Sequence, residues 1–501
     1  MTGRSDAPSA AADAQAAGPG SQNPDTTLPL PTPEYLATRL AELIRRGNIP
    51  GASVAVRAGT ETVTATAGVL GLATGYPVTA DSVFQIGSIT KVWTATLVMQ
   101  LVDEGVIDLD APVRTYLPEF RTVDEAASKA VTIRQLLTHT SGIEGDIFDD
   151  HGFGDDAVAT YVAGLAETAP QIFPPGERFS YCNSGIVVLG RVVEVLTGQT
   201  WEATLRERLV VPLGLAHVAN DANEAILQHA AIGHMPGPDG TLVTVPTWQM
   251  PRSNSPAGSN LAMSATNLLE FAAAHVNLGL LPDGTRLLSE SSALAMRVPH
   301  VDVPGPEPIG SAWGLGWNLY DWAGGPVVGH DGGTLGQSAM LRVVPSRGVS
   351  IAILTNGGNL LVMYDLVREL FAGLADVRVP ELPTPPAEPA TVDPRYFVGR
   401  YASRSSALDV TETEDGLNVS MRLLGSMAAL AGGDRASVTK VVAADARTLV
   451  ATEQQDGRHA VYSFVGDGDR AEFLYQGRAV RRVSAGEAEQ DVADRSEEGH
   501  E

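Results

Sequence analysis

Hydrophobic positions recur at helical spacing near residue 34 and then alternate in two short runs. Within residues 34–46, Leu36, Leu40 and Leu43 lie three or four positions apart, which predicts an amphipathic helix. The runs ASVAVRA and ETVTATAG follow, and Gly59 separates them. Two alternating runs joined by a short glycine-containing turn predict a β-hairpin.

A nearly continuous apolar run predicts a long helix from near Ser88 to a C-cap at Gly105. The middle of the chain has further helical patterns at VTIRQLLTHTSGI, IVVLGRVVEVLTG and NLLEFAAAHVNLG. After Gly325, strand patterns return in PVVGH, SAMLRVVP and VSIAILTN, and a helical pattern closes the unit in LLVMYDLVRELFAGL. This order predicts an α+β fold, an α/β sandwich whose sheet uses strands from both ends of the unit.

Proline dominates residues 380–394, which predicts a stiff linker rather than a helix or a central strand. Beyond it lie seven short alternating runs separated by turn residues, and these predict a small antiparallel β-barrel. We therefore divide the chain into a main domain at 33–378, a linker at 379–394 and a barrel at 395–484. Residues 1–32 and the acidic residues 485–501 are predicted to be disordered tails.

Composition narrows the classes of partner and cofactor. The 501 residues carry a formal net charge of −25, which argues against nucleic acid and against an anionic membrane surface as partners. The single cysteine, Cys182, excludes an internal disulfide and a thiolate-rich metal site, and no HExxH-like pattern occurs. With no evident signal peptide or membrane-length apolar stretch, we expect a cytoplasmic protein that uses no metal and no cofactor.

Lysine is scarce, which draws attention to the lysine that opens the long apolar helix. The chain has three lysines, Lys91, Lys129 and Lys440, and arginine supplies nearly all other positive charge. Lys91 lies three positions after Ser88, so both side chains share one face of the helix start. Burial favours a neutral amine, which can take the proton of a serine nucleophile. The alternative is a lone lysine that reaches from a helix end into solvent. A second SxxK, formed by Ser437 and Lys440, lies in a strand-rich stretch without a following helix, and we interpret it as a chance occurrence.

Two further motifs contain residues suited to the same chemistry. In FSYCNSG, Tyr181 and Asn183 alternate around Cys182, so an extended loop directs both to one side. A phenol near Ser88 would relay protons once a neighbouring cation lowers its pKa, whereas a capped turn is the structural alternative. In VGHDGG, His330 would donate to a substrate carboxylate or carbonyl, and the glycines allow a ligand backbone to approach; a plain β-turn is the alternative.

The order Ser-x-x-Lys, Tyr-x-Asn, His-x-Gly resembles the serine β-lactamase and penicillin-binding protein superfamily, specifically the class C β-lactamase-like serine hydrolases. The contexts FQIGSITK, VTIRQLLTHTSGI, FPPGERFSYCNSGIVVLGRVVE and GHDGGTLGQS carry the likeness, which spans roughly residues 34–374. It implies an antiparallel sheet flanked by helices, a helical subdomain and, beyond the linker, a lipocalin-like barrel. No complete GxSxG elbow supports an α/β-hydrolase.

The resemblance also implies roles for individual residues. Ser88 would be the acylated nucleophile, Lys91 its base and Tyr181 a proton shuttle, while Asn183 would line the substrate site. The N–H groups of Ser88 and Gly333 would form the oxyanion hole, next to Gly332. His330 stands where β-lactamases carry the lysine of a Lys-Thr-Gly triad, which disfavours efficient β-lactam hydrolysis.

Several functions remain open at this stage. The leading hypothesis is a serine hydrolase acting on a small ester or on an amide or peptide with a D-amino acid. The alternatives are a penicillin-binding-protein-type acyltransferase or thioesterase that cyclises peptides, a β-lactamase or D-alanyl-D-alanine carboxypeptidase, and a non-catalytic sensor or scaffold. The expected partner is a small molecule or a short peptide, and the oligomeric state is open.

Overall fold

A computed structural model describes residues 29–237, 239–305, 310–425, 428, 436–455 and 457–484. The predicted disordered tails at 1–32 and 485–501 lie outside these residues, apart from residues 29–32. Within the described ranges, no helix combines the length and apolar character needed to cross a membrane.

The main domain alternates helices with strands along the chain. Its helices are α1 (Pro33–Arg46), α2 (Thr90–Asp103), α3 (Glu125–Ala130), α4 (Ile133–Leu137), α5 (Ala157–Thr168), α6 (Asn183–Thr197), α7 (Trp201–Leu205), α8 (Ala222–Ala225), α9 (Ala265–Val276), α10 (Glu290–Ala295) and α11 (Tyr364–Ala375). Its strands are β1 (Gly51–Ala58), β2 (Glu61–Gly68), β3 (Phe84–Gln85), β4 (Val218–Ala219), β5 (His234–Pro236), β6 (Leu242–Thr244), β7 (Ala262–Met263), β8 (Val301–Asp302), β9 (Ala312–Trp313), β10 (Asn318–Trp322), β11 (Gly325–Gly333), β12 (Ser338–Val344) and β13 (Val349–Thr355).

One eight-stranded sheet joins the two ends of this domain in the order β2-β1-β13-β12-β11-β10-β9-β8. Every neighbouring pair in it is antiparallel. Leu36, Leu40 and Leu43 of α1 pack with α11 on one face of the sheet, and α2, α6 and α9 contribute to the core on the other. The predicted α+β sandwich with a sheet built from both ends is therefore confirmed.

The C-terminal strands close into an eight-stranded antiparallel barrel. They are β14 (Gly399–Ala402), β15 (Ser406–Thr413), β16 (Gly416–Leu423), β17 (Ala436–Ala443), β18 (Thr448–Gln455), β19 (Arg458–Val465), β20 (Phe473–Tyr475) and β21 (Ala479–Val483). The sequence analysis counted seven strands and missed β18, whose outer half, TEQQ, is polar and breaks the apolar alternation. Residues 380–393, in the predicted linker, form neither helix nor strand.

The barrel lies directly against the main domain. The rings of Phe173 and Phe473 meet edge to face with centroids 6.2 Å apart. The Arg178 Nη2 lies 3.8 Å from the Glu472 Oε2. Arg404 of the barrel also donates to the backbone carbonyl of Thr168 at 3.0 Å. Apolar and polar contacts together hold the two domains side by side.

Glycines allow β11 to approach the turn that holds Ser88. This 3-10 turn, Gly87–Ile89, runs directly into α2, and Gly87 has a φ of +52°. A Cβ on Gly87 would lie 2.4 Å from the backbone nitrogen of Gly333, and one on Gly332 would lie 1.8 Å from the carbonyl oxygen of Ile86. Only residues without side chains permit this spacing, which brings the backbone of β11 beside the serine.

Gly87→Ala is expected to lower kcat/KM for an activated ester by about a hundredfold, the cost of displacing one oxyanion-hole donor. The left-handed φ and the close backbone of Gly333 leave no room for the added methyl group. Thermal unfolding, measured in parallel, would also show a lower midpoint.

Gly373→Ala in α11 is the matched control, because a Cβ there meets nothing within 4 Å. It is expected to keep full activity and to raise stability slightly. Equal activity of Gly87→Ala and Gly373→Ala would show that the close contact between β11 and the Ser88 turn is not needed for activity.

Candidate active site

Ser88 and Lys91 lie one turn apart where the 3-10 turn becomes α2. The Lys91 Nζ is 2.9 Å from the Ser88 Oγ and 2.6 Å from the carbonyl oxygen of Ala257. The Lys91 side chain is 0 % exposed, and burial, helped by the charge of Arg478, holds the pKa of its ammonium well below the ordinary value. A nearby carboxylate, Asp146, opposes this shift only in part. Burial thus favours the neutral form of this amine.

A neutral amine has two hydrogens and one lone pair, which decides how its contacts are used. The carbonyl of Ala257 can only accept, so Nζ donates to it. Nζ lies 2.9 Å from the Ser88 Oγ, and once the amine is neutral its lone pair can take the hydroxyl proton across this distance. This is the geometry required of a general base that activates a serine nucleophile.

Tyr181 lies next to this pair, immediately before α6. Its ring centroid is 5.0 Å from the Lys91 Nζ, and the Ser88 hydroxyl acts to lower the pKa of its phenol. Burial raises the pKa of this phenol, although Ser88 and Arg478 both oppose the shift. The expectation that a neighbouring cation lowers the pKa of Tyr181 is therefore wrong for the net shift, because burial outweighs the charge of Arg478. A neutral phenol can still donate a proton to a leaving group.

Asn183 begins α6 and contacts a carboxylate rather than Lys91. Its Nδ2 donates to Asp146 Oδ1 at 2.7 Å, and Arg478 Nη2 donates to the same oxygen at 3.0 Å. The Arg478 Nε also forms an ion pair with the second oxygen of Asp146. The guanidinium lies 4.9 Å from the centroid of the Tyr181 ring.

Arg478 belongs to the barrel, so the second domain supplies part of this site. The turn that carries it, between β20 and β21, is hydrogen-bonded to the segment around Tyr181. The Tyr181 N–H donates to the carbonyl of Gly477 at 3.1 Å. The Ala479 N–H donates to Ser180 Oγ at 3.1 Å. Arg478 is 39 % exposed, whereas Asp146 is 8 % exposed. The arginine therefore lies at the mouth of the site and the carboxylate behind it.

His139 and Trp313 form the wall behind Tyr181. His139 has a φ of +56°, and its Nδ1 accepts the N–H of Cys182 at 3.1 Å. Its ring centroid is 4.5 Å from that of Tyr181, and the Trp313 centroid is 5.6 Å from Tyr181. Both side chains are buried, so they orient the phenol by packing.

His330 completes the group of predicted residues, and it is buried with its ring centroid 6.2 Å from that of Tyr181. Its Nδ1 lies 2.6 Å from the carbonyl oxygen of Asp331, and burial lowers the pKa of the ring to about 3. The structure thus brings Ser88, Lys91 and Tyr181 together with Asn183, His330, Gly332 and Gly333 around one turn. Burial raises the pKa of the Cys182 thiol to about 12, and no metal-binding cluster occurs among the described residues.

Sequence reasoning missed four contributors to this site: Asp146, Arg478, His139 and the carbonyl of Ala257. Asp146 lies outside helices and strands and Ala257 ends the 3-10 turn Arg252–Ala257, so neither belongs to a motif that the sequence singles out. His139 belongs to the quoted THTSG stretch, but its role depends on a positive φ that the sequence does not reveal. Arg478 is one arginine among many, and only folding brings it to Tyr181.

The family model described as Beta-lactamase matches residues 36–375, which carry every motif residue described above. The chain belongs to the beta-lactamase family. These proteins are serine hydrolases, and the predicted relationship to the superfamily is confirmed, as is the fit of the closed barrel to a lipocalin-like domain.

Three comparisons illustrate how far the likeness extends. The chain is 45% identical to Penicillin-binding protein 4 of Amycolatopsis lactamdurans over 367 residues, which are 72% of this chain and 95% of that protein. SurE, in its crystal structure, is 30% identical with a TM-score of 0.69, and the match covers 90% of this chain and 99% of SurE. A D-stereospecific amidohydrolase from Streptomyces sp. is 27% identical with a TM-score of 0.53, covering 66% and 97% of the two chains.

The pH profile is expected to report the neutral state of Lys91. As the pH falls through the depressed pKa, the amine gains a proton and can no longer accept one from Ser88, so kcat/KM falls on the acid side. Above that pKa the rate reaches a plateau. Steady-state hydrolysis of p-nitrophenyl acetate between pH 4 and 10 measures the profile. Lys129→Met, at an exposed lysine, is the control and should leave it unchanged; a rate that rises only near pH 10 would contradict the neutral amine.

Arg478→Met is expected to lower kcat/KM by at least about tenfold, because it leaves the buried Asp146 carboxylate without its guanidinium partner beside the catalytic lysine. The control is Arg481→Met at an exposed arginine of β21. Circular dichroism confirms folding of both variants. Full activity in a folded Arg478→Met protein would show that the barrel takes no part in the site.

Proposed function

We propose that this protein is a class C β-lactamase-like serine hydrolase that forms an acyl-enzyme on Ser88. The observation that carries the proposal is the fully buried Lys91 amine, 2.9 Å from the Ser88 hydroxyl, where burial lowers the pKa of the ammonium. The substrate is a small ester, or an amide or peptide containing a D-amino acid. It is a small molecule or a short peptide, not a nucleic acid or a membrane surface, in keeping with the net charge of −25.

The residues suggest a two-step reaction. Ser88 Oγ attacks the acyl carbon as its proton passes to Lys91 Nζ, and the N–H groups of Ser88 and Gly333 stabilise the oxyanion. The proton reaches the departing group through the Tyr181 phenol, and the bond to that group breaks to leave the Ser88 ester. Water then attacks this ester, gives up a proton to the same relay and releases the acid.

The preference for D-configured substrates is supported by the relatives. SurE has been solved with D-Leu, at 29% identity and a TM-score of 0.67, and the Streptomyces relative is described as a D-stereospecific amidohydrolase. The match to SurE also includes the barrel, because it covers 90% of this chain. The barrel contributes Arg478, so the likeness extends to the domain that borders the site.

β-Lactam hydrolysis and carboxypeptidase action are less well supported. A substrate carboxylate is best held by a permanent cation, and His330 is neutral because burial lowers the pKa of its ring to about 3. The nearby guanidinium of Arg478 is already paired with Asp146. The site therefore offers no unpaired cation among these residues.

Transfer of the acyl group to an amine is the second candidate, favoured by the enclosure of Tyr181. The barrel turn covers one side of this residue through Gly477 and Arg478, and Trp313 packs on the ring. Covering the acyl-enzyme in this way restricts water and favours a bound amine. Incubation of the protein with a D-configured peptide thioester that bears a free amine distinguishes hydrolysis from acyl transfer. A linear acid as the sole product excludes transfer.

Ser88→Ala is expected to abolish the acyl adduct and reduce turnover to the uncatalysed background, because no other side chain here replaces the nucleophile. Intact-mass measurement after mixing with D-configured peptide esters detects the adduct, and peptide mapping locates it. The matched control is Ser437→Ala, which removes the serine of the second SxxK in the barrel and should change nothing. An adduct that persists in Ser88→Ala would overturn the proposal, and an adduct without repeated turnover would favour the sensor.

A further inference from the structure

His330 has one ring nitrogen whose partner is known and one without any. The carbonyl of Asp331, 2.6 Å from Nδ1, can only accept a hydrogen bond, so Nδ1 carries a hydrogen. The ring is neutral, since burial lowers its pKa to about 3, and a neutral imidazole has a single N–H. The Nε2 is consequently a bare acceptor, the reverse of the donor role expected from the sequence.

This acceptor is buried and has no hydrogen-bond partner among the described residues. His330 and Gly332 lie on the same face of β11, and the Cβ direction of Gly332 leads to the Ser88 backbone nitrogen. The imidazole ring is bordered by Trp313 at 5.5 Å and by Tyr181 at 6.2 Å between centroids. A buried acceptor without a partner, on the face of β11 whose Gly332 adjoins the Ser88 turn, is a place where a ligand donor or a water would be bound.

The residue whose backbone carbonyl fixes this tautomer is held through its side chain by an ion pair with a buried arginine. Arg342 is 0 % exposed, and its Nη1 and Nη2 donate to the two oxygens of Asp331 at 2.6 and 3.0 Å. Arg342 Nη2 also donates to the Tyr364 hydroxyl at 2.8 Å, and the guanidinium lies 4.6 Å from the Tyr320 ring centroid. A bidentate pair of this kind restricts the rotation of the backbone around Asp331.

We propose that His330 binds an N–H or O–H of the substrate through Nε2, so the site selects a carboxamide or hydroxyl at this place over a carboxylate. Arg342 is the positioning residue that maintains the acceptor tautomer through Asp331. The inference rests on the proposed function, because it assigns the ligand chemistry of the same site. It explains why a neutral histidine replaces a cation here.

The tautomer is tested without any substrate. Long-range ¹H–¹⁵N spectra of protein labelled at its ten histidines separate protonated from bare ring nitrogens, and His330→Gln identifies the signal of His330 by its loss. The expected result at pH 7 is a protonated Nδ1 and a bare Nε2. A protonated Nε2, or an imidazolium, overturns the inference while the acyl-enzyme proposal stands.

Selectivity is tested with two D-configured dipeptides that differ only in a C-terminal carboxamide or carboxylate. The wild-type kcat/KM is expected to favour the carboxamide by about tenfold, the worth of one hydrogen bond. His330→Gln, whose side chain keeps an acceptor, should retain the preference, and His330→Met should lose it mainly through KM. Equal use of both dipeptides by the wild type, or an unchanged ratio in folded His330→Met, overturns the inference.

The positioning role of Arg342 is tested with Arg342→Met and Asp331→Asn combined, because removing one partner alone would leave a buried charge. In the folded double variant, we expect mixed His330 tautomers and a carboxamide preference that falls toward unity. A folded double variant with the wild-type tautomer and the wild-type ratio shows that Arg342 does not position His330. If no substrate acylates Ser88, the proposed function fails, and the tautomer measurement still decides the state of His330.

Discussion

The burial of one amine is the constraint on which this site depends. Lys91 extends from an apolar helix into a space closed by the Ala257 carbonyl and the Ser88 hydroxyl, where an ammonium would lack water. Losing the proton removes the charge and leaves a lone pair directed at the serine. Burial also explains why Tyr181 stays a phenol, since the opposing effects of Ser88 and of the Arg478 charge offset the rise in its pKa only in part. Burial away from water thus favours the neutral forms of both Lys91 and Tyr181.

The barrel contributes to the candidate active site as well as forming a second domain. Its turn at Gly477 and Arg478 is bonded to the segment that carries Tyr181, and Arg478 pairs with the Asp146 carboxylate that holds Asn183. The charge of this guanidinium also helps to keep the pKa of Lys91 low. Loss of contact between the domains would therefore change both the position of Tyr181 and the electrostatics around the base. A cation supplied by the barrel is balanced by a carboxylate of the main domain.

The His-x-Gly motif shows how a histidine in place of a lysine changes the ligand that a site can bind. His330 has its Nδ1 hydrogen directed to its own backbone neighbour, so the atom left for the ligand is an acceptor. A lysine at this place would offer only donors and a charge. The network of Arg342 and Asp331 lies beneath it, away from the reacting atoms, and supports the choice of tautomer. In the proposal made above, the ion pair of Arg342 and Asp331 on the same two strands supports the chemistry at the sheet edge.

Local pattern was sufficient for much of this protein. Leucines at helical spacing predicted α1, alternation predicted the β1–β2 hairpin, and Ser88 with Lys91 one turn apart followed from helix geometry alone. The sequence also identified the motif residues, because scarce lysine and short spacings leave a local signal. Strand β18 was missed because its polar outer half hides the alternation. Tertiary structure alone decided the direction of the pKa shift of Tyr181, the tautomer of His330 and the entry of Arg478, since burial, orientation and contacts between distant segments arise only after folding.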